Sequence, residues 1–259
     1  MIILIGNCQI LIELSFNKFY YEIVYMYLFI ITVIVFITFT TILLFNIVNR
    51  NESFSNDKTF SNTQTWGDDE NKILSNLTPL GKDLIKTIPD IPFPTNSSFQ
   101  IKREISDIKK KMKSLTYKKQ KDIIHELYLY NIINRFGTTY MENRKITNLL
   151  IKEINPIIMN MKQKYNRVRP FHLDNNIKPT IEPPEHPSYP SGHAIQSYFI
   201  NYLLSEKYPH KKDIFNKIAH NISINREYAG VHYQSDTSYG KLVAKKLSEY
   251  FSKNNNPLL

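Results

Sequence analysis

A run of 27 residues without a charge, "IVYMYLFIITVIVFITFTTILLFNIVN" from Ile23 to Asn49, constrains this 259-residue chain more than any other stretch. A helix that crosses a bilayer needs about 20 apolar residues, so the run is long enough to span even when tilted. Tyr20, Tyr21, Tyr25 and Tyr27 gather at one end, where interfacial aromatics sit. A cleaved signal peptide fits less well, because the apolar core is too long and no small-x-small cleavage site follows it. The expectation is one uncleaved transmembrane helix, within an N-terminal region of residues 1–49 whose partner is the lipid bilayer. Lys18 on one side, with Arg50 and Lys58 on the other, gives the positive-inside rule little to act on. The domain that follows is expected on the extracytoplasmic or lumenal side.

Residues 50–95 are polar and interrupted by "TIPDIPFPT", which reads as a linker. Beyond it the pattern turns helical. "YKKQKDIIHELYLYNIINRF" puts Ile123, Ile124, Leu127, Tyr130 and Ile133 on one face of period 3.6, with the lysines between 102 and 121 as its solvated side. "KITNLLIKEINPIIMNMKQKYNRV", "AIQSYFINYLLSEKY", "KDIFNKIAHNISIN" and "TSYGKLVAKKLSEYF" read as further helices, and alternating strand patterns are scarce. The fold class is therefore all-α: a helical bundle over residues 96–259 behind one membrane helix.

The net charge of +10 suggests anionic partners. The chain is also rich in Asn, Ile and Tyr, as an A/T-rich gene would make it, so the charge carries little weight. Basic-aromatic modules are missing, and nucleic acid is not expected as a partner. A single cysteine, Cys8, excludes an internal disulfide and a cysteine-rich metal site.

Three polar clusters fall at predicted helix ends. In "KQKYNRVRP", Lys162 and Arg169 lie seven residues apart, close to two helical turns, so both project from one face. Pro170 ends that helix, and Lys164 and Arg167 point elsewhere. In "HPSYPSGHA", Ser191 can cap the next helix, whose free N–H groups and positive dipole end favour an anion. Gly192 lets an oxyanion approach the backbone without a Cβ in the way, and His193 stands beside it. In "NREYAGVHYQSD", Asp236 follows His232 by four residues. It can accept from Nδ1 and leave Nε2 unprotonated and facing the site, with Arg226 nearby. Each cluster alone also reads as structure: solvated cations, a helix cap, a His–Asp pair. Together they suit a tetrahedral oxyanion served by one nucleophilic and one acidic histidine, and no ligand set for a divalent metal is apparent.

K-x6-R-P at Lys162–Pro170, P-S-G-H at Pro190–His193 and R-x5-H-x3-D at Arg226–Asp236 resemble the three signature motifs of the type 2 phosphatidic acid phosphatase and vanadium haloperoxidase superfamily. "HPSYPSGHA" and "AGVHYQSD" are most similar to its soluble branch, which includes the class A nonspecific acid phosphatases. The resemblance implies a phosphatase/haloperoxidase-like helical domain that hydrolyses phosphate monoesters, lipid phosphates among them, without metal or other cofactor, through a phosphohistidine. Lys162, Arg169, Arg226, Ser191 and Gly192 would hold the phosphoryl oxygens. His232 would be the nucleophile, Asp236 its orienting carboxylate, and His193 the leaving-group acid and later the base. The third motif usually opens Ser-Arg, and Asn225 here is expected to retune the phosphate pocket. The superfamily's lipid phosphatases thread several helices through the bilayer, whereas this chain has one such segment, which argues against that architecture. The same pocket holding vanadate, with His232 as its ligand, would make a haloperoxidase. A membrane protein that binds a phosphorylated partner without catalysis is the remaining alternative.

Overall fold

The computed structural model describes residues 25–41, 58–63 and 65–253. The chain divides into two units, Met1–Ser53 and Phe54–Leu259. In the first, residues 25–41 form helix α1, along which large apolar side chains are exposed. Its hydroxyls turn inward: Thr32 donates to the Leu28 carbonyl at 2.8 Å and Thr38 to that of Val35 at 2.9 Å. Among the described residues no helix is long and apolar enough to cross a membrane. The rest of the expected span, residues 23–24 and 42–49, lies outside the described residues.

The described part of the second unit is helical, with α2 (Asp68–Ser75), α3 (Pro79–Thr87), α4 (Phe99–Lys113), α5 (Tyr117–His125), α6 (Leu129–Asn134), α7 (Tyr140–Leu149), α8 (Asn155–Tyr165), α9 (Pro170–Leu173), α10 (Gly192–Lys207), α11 (Lys212–Tyr228) and α12 (Gln234–Lys253). Side-chain caps set many of the starts. Thr78, Ser98, Thr116, Thr139 and Ser191 each accept from the backbone N–H three residues on. α7 runs through a π-helical turn, Leu150–Ile154, into α8, and Pro156 is tolerated because it sits in the first turn. Helix α10 is the axis of the bundle. It buries Ala194, Ile195, Phe199, Ile200 and Leu203 and packs along α11 and α12.

Two expectations need correction. The segment read as a linker over 50–95 is, from Phe60 on, part of the domain: Phe60 is fully buried, and Leu84 and Ile88 join the main core beside Ile157 and Tyr189. Thr59 forms an isolated antiparallel bridge with Arg167, and Phe60 N donates to the Asn166 carbonyl at 3.0 Å. Polar composition concealed a few large apolar residues placed at the turns of α3. The single helix over residues 117–136 is two, α5 and α6, with Ile123 and Ile133 buried but Ile124, Leu127 and Tyr130 exposed. Periodicity counted the apolar residues, yet the side chain drawn inward at the break is Glu126, which is 0% exposed. The lysines nearby are not all solvated either: Lys111 pairs with buried Glu227 and Lys109 with Asp174.

Two glycines let the helix ends converge. Gly230 turns the chain between α11 and α12 at φ 76°, where a Cβ would sit 3.0 Å from both Ile177 and Met112. At Gly240 a Cβ would lie 2.9 Å from the Ser191 carbonyl, so α12 crosses the start of α10 at backbone contact.

Candidate active site

All three clusters come together at the ends of α8, α10, α11 and α12. The first arrives differently from the two-turn helix expected. Helix α8 stops at Tyr165, and Asn166 takes the left-handed conformation at φ 47°. Lys162 therefore points from the last helical turn and Arg169 from a loop, and they meet on the segment leading to α10. Lys162 Nζ donates to the carbonyls of Pro187 (2.7 Å) and Ser188 (3.2 Å). Arg169 Nε donates to the His186 carbonyl at 3.0 Å, and Nη1 to that of Val231 at 2.7 Å. The same break corrects the placement of Arg167, which points inward and is buried.

The His232–Asp236 pair forms as the spacing predicts. Nδ1 of His232 lies 2.9 Å from Asp236 Oδ2, across one turn at the start of α12. The Tyr233 N–H (3.0 Å) and the Ser188 hydroxyl donate to the same oxygen, and Arg167 pairs with Oδ1. Burial works against ionising Asp236, but Arg167, then His232 and Ser188, hold its carboxyl well below the usual range. Burial pushes His232 down to about 3, and nearby Arg169 and Lys162 act in the same sense, while Asp236 opposes them. With Nδ1 donating to Asp236, Nε2 is left as an acceptor lone pair.

Arg226 and His193 are held from the other side by Glu126. Arg226 Nη2 donates to the Ile123 carbonyl at 2.8 Å and lies 3.3 Å from Glu126 Oε2; its Nε and Nη1 are buried without a protein partner. Burial brings it down to about 10, so it stays cationic at neutral pH. His193 Nε2 sits 2.9 Å from the Glu126 carbonyl, which can only accept, so the ring proton is on Nε2 and Nδ1 carries the lone pair. Burial and then Arg226 keep His193 well below its ordinary value. Burial and Arg169 do the same to Lys162.

A cavity of about 210 Å³ is walled by Lys162, Gly192, His193, Arg226 and His232, with His186 at its edge and apolar Leu127, Leu129, Ile158 and Val231 between them. Arg169, Ser191 and Asp236 are buried but do not line it. A Cβ on Gly192 would meet only Ile158, at an ordinary 3.5 Å. Protein packing therefore does not demand this glycine, and the space it opens belongs to the cavity.

Asn225 does not face the cavity. Its amide donates to Glu126 Oε2 at 2.9 Å and its oxygen accepts from Lys119 Nζ at 3.0 Å. The expected retuning of the pocket is thus replaced by a place in the support of Glu126. Sequence reading also missed Arg167, Ser188, Glu126 and His186, whose ring lies 3.1 Å from Arg169 Nη2. Only Arg167 and His186 carried any signal, being ionisable residues inside the motif stretches.

Part of the chain is similar to known proteins. Residues 146–245 match the model of the PAP2 superfamily. A curated non-specific acid phosphatase from Providencia stuartii is 29% identical over 106 residues, covering 39% of this chain and 43% of that protein, so the match spans less than half of the relative. Among solved structures, a bacterial vanadium-dependent iodoperoxidase aligns at TM-score 0.49 and 17% identity over 64% of this chain and 51% of its own. A transmembrane PAP2-type phosphatidylglycerolphosphate phosphatase from Bacillus subtilis aligns at TM-score 0.44 and 14% identity, over 73% of this chain and 97% of its own. The stretch that is similar to the PAP2 superfamily, residues 146–245, holds all three motif clusters.

Proposed function

We propose that this domain is a metal-independent phosphatase of phosphate monoesters that works through a phosphohistidine on His232. One observation carries the reading: an uncharged, Asp236-oriented imidazole shares a small cavity with Arg226, whose Nε and Nη1 are buried without a protein partner. A buried guanidinium edge without acceptors suits an oxyanion. The relative named as a non-specific acid phosphatase supports the same reaction class.

In this mechanism Arg226, the remaining N–H of Lys162 and the N-terminus of α10 at Gly192 hold the phosphoryl oxygens. Arg169 and Ser191 act from behind, shaping the loop and the helix start. Nε2 of His232 attacks phosphorus, the P–N bond forming as the ester P–O bond breaks. Nδ1 of His193 gives its proton to the departing alkoxide. A bound phosphate dianion beside it favours the protonated form against the burial and the Arg226 charge that depress it. His193 then takes a proton from water, whose oxygen attacks phosphorus and releases His232 and inorganic phosphate. Positioning and charge carry most of a phosphoryl transfer, and the cations fill that role without a metal. We also assign residues 23–49 as a membrane anchor, from their uncharged length and the exposed apolar side chains of α1.

Hydrolysis of a chromogenic phosphomonoester, with chelator and with vanadate, tests the reading. Turnover should survive chelation, vanadate should compete with substrate, and an acid-labile phosphoenzyme should be trapped in wild type but not in His232→Ala. Loss of activity on chelation that a divalent metal restores, or labelling retained in His232→Ala, would overturn it.

A further inference from the structure

We propose that Arg167 is a positioning residue for the nucleophile: it holds Asp236 as a carboxylate turned so that Oδ2 faces Nδ1 of His232. Only the kinetic arm of the test below rests on the phosphatase reading.

The two oxygens of Asp236 are divided. Oδ1 takes Nη1 of Arg167, and Oδ2 takes His232, Ser188 and the Tyr233 N–H. A carboxylate pinned at both oxygens cannot rotate away from the imidazole. Arg167 is itself fixed. Nη1 also donates to Ser235 Oγ at 2.9 Å, and the Ser235 hydroxyl donates in turn to Glu104 Oε2 at 2.7 Å, with its backbone N–H on the same oxygen at 3.2 Å. The Tyr233 ring centroid lies 3.8 Å from the guanidinium carbon, and Phe93 (5.0 Å) and Tyr189 (5.7 Å) complete an aromatic enclosure. Nε and Nη2 find no hydrogen-bond partner there. A planar, weakly hydrated cation tolerates such a box, and a lysine ammonium does not reproduce it. Arg167 does not line the 210 Å³ cavity, so its influence on a bound ester passes through Asp236.

Behind Asp236 the ionisable groups are Arg167, Tyr233, Tyr189 and Glu104. Around the His232 ring they are Lys162, Arg169, His186 and His193. Arg167 is the cation that faces the carboxylate directly. Without it, Asp236 becomes an uncompensated buried charge, and its proton affinity rises.

The test uses the full-length protein in detergent, with Arg167→Met, Arg167→Lys and Ser235→Ala. Histidine ring NMR follows the His232 Nδ1 proton and its titration, single-turnover labelling gives the phosphorylation rate, and inorganic phosphate gives a competitive Ki. In Arg167→Met the Nδ1 proton signal should shift, and the titration of the pair should move to higher pH. Phosphorylation should fall about 10- to 100-fold, as when an outer partner of a catalytic ligand is lost, while the phosphate Ki stays unchanged. Arg167→Lys should fall between wild type and Arg167→Met. A lowered melting temperature with unchanged NMR titration and phosphorylation would reduce Arg167 to a structural role and overturn the proposal. A raised phosphate Ki would overturn it too, by making Arg167 a ligand of the phosphate. Should Arg167→Met fail to fold, Ser235→Ala decides, since it keeps the ion pair and removes the second acceptor. A smaller shift in the same direction supports the proposal, and none sinks it. If wild type hydrolyses no ester, the phosphatase reading fails and the NMR titration alone decides on Arg167.

Discussion

The backbone carbonyl of Glu126 accepts from Nε2 of His193 at 2.9 Å, across 67 residues of sequence. A carbonyl cannot donate, so this bond fixes the tautomer and leaves Nδ1 as the nitrogen that would exchange a proton with substrate in the proposed mechanism. The leaving group decides how much this matters. An alkyl alkoxide needs the proton, and a positioned general acid contributes about 10²- to 10⁴-fold, whereas a nitrophenolate departs largely unaided. His193→Ala should slow single-turnover phosphorylation by an alkyl phosphate far more than by a nitrophenyl phosphate. His232→Ala should abolish both. Equal losses for the two esters in His193→Ala would remove it from the role of acid.

Gly192→Ala separates folding from binding at one position. The protein leaves ordinary contact distance, 3.5 Å to Ile158, for the new Cβ, and alanine is the better helix former. Thermal stability should be equal or higher. The methyl group enters the cavity at the place assigned to the phosphoryl oxygens in the proposed mechanism, so phosphate and vanadate should bind about 10-fold weaker, near 1.4 kcal/mol. Unchanged vanadate inhibition would place the anion elsewhere.

The buried imidazole of His232 makes stability depend on acid. Its folded value, about 3, is below the 6.5 of an exposed histidine. Between those limits the unfolded chain binds the extra proton, so stability rises with pH across this window and is fully present above about 6.5. The contribution lost on acidification is on the order of a few kcal/mol. In denaturant melts from pH 3 to 7, His232→Gln should flatten this slope relative to wild type. An unaltered slope would show that His232 is not buried in its neutral form.

Where the domain begins can be tested by truncation. A chain starting at residue 54 keeps Phe60, Leu84 and Ile88 in place and should unfold cooperatively and hydrolyse a soluble ester. One starting at residue 96 discards all three, and each large core side chain removed costs roughly 2–5 kcal/mol. It should fail to give a cooperative melt. An active, cooperatively folding fragment from residue 96 would restore the linker reading of 50–95.

The sequence made the local parts of the site legible and left the distant parts hidden. His232 and Asp236 sit four residues apart on one turn, so their bond could be read from spacing, as could the cap of Ser191 on α10. Arg167 was misplaced because a helical wheel was carried through Asn166, where one left-handed residue redirects the chain. Glu126 could not have been found by periodicity. Arg135, nine residues on, takes one of its oxygens, but Asn225 and Arg226, which draw it to the site, lie 99 and 100 residues away. The helices α10 and α12 matched their apolar patterns because they are long and core-facing. The short α5 and α6 did not, because their buried and exposed apolar residues are mixed.

The pairing of Thr59 and Phe60 with Asn166 and Arg167 has a mechanical side. Tension applied to the chain before Lys58 enters the domain through this contact, reinforced by the bond from Ser61 N to Asn166 Oδ1 at 3.1 Å. Lys58 shares the load, since its carbonyl accepts from Asn96 Nδ2 at 3.0 Å and its Nζ donates to the His172 carbonyl. The contact that ties Thr59 and Phe60 to the domain and the guanidinium that holds Asp236 thus share one short piece of backbone.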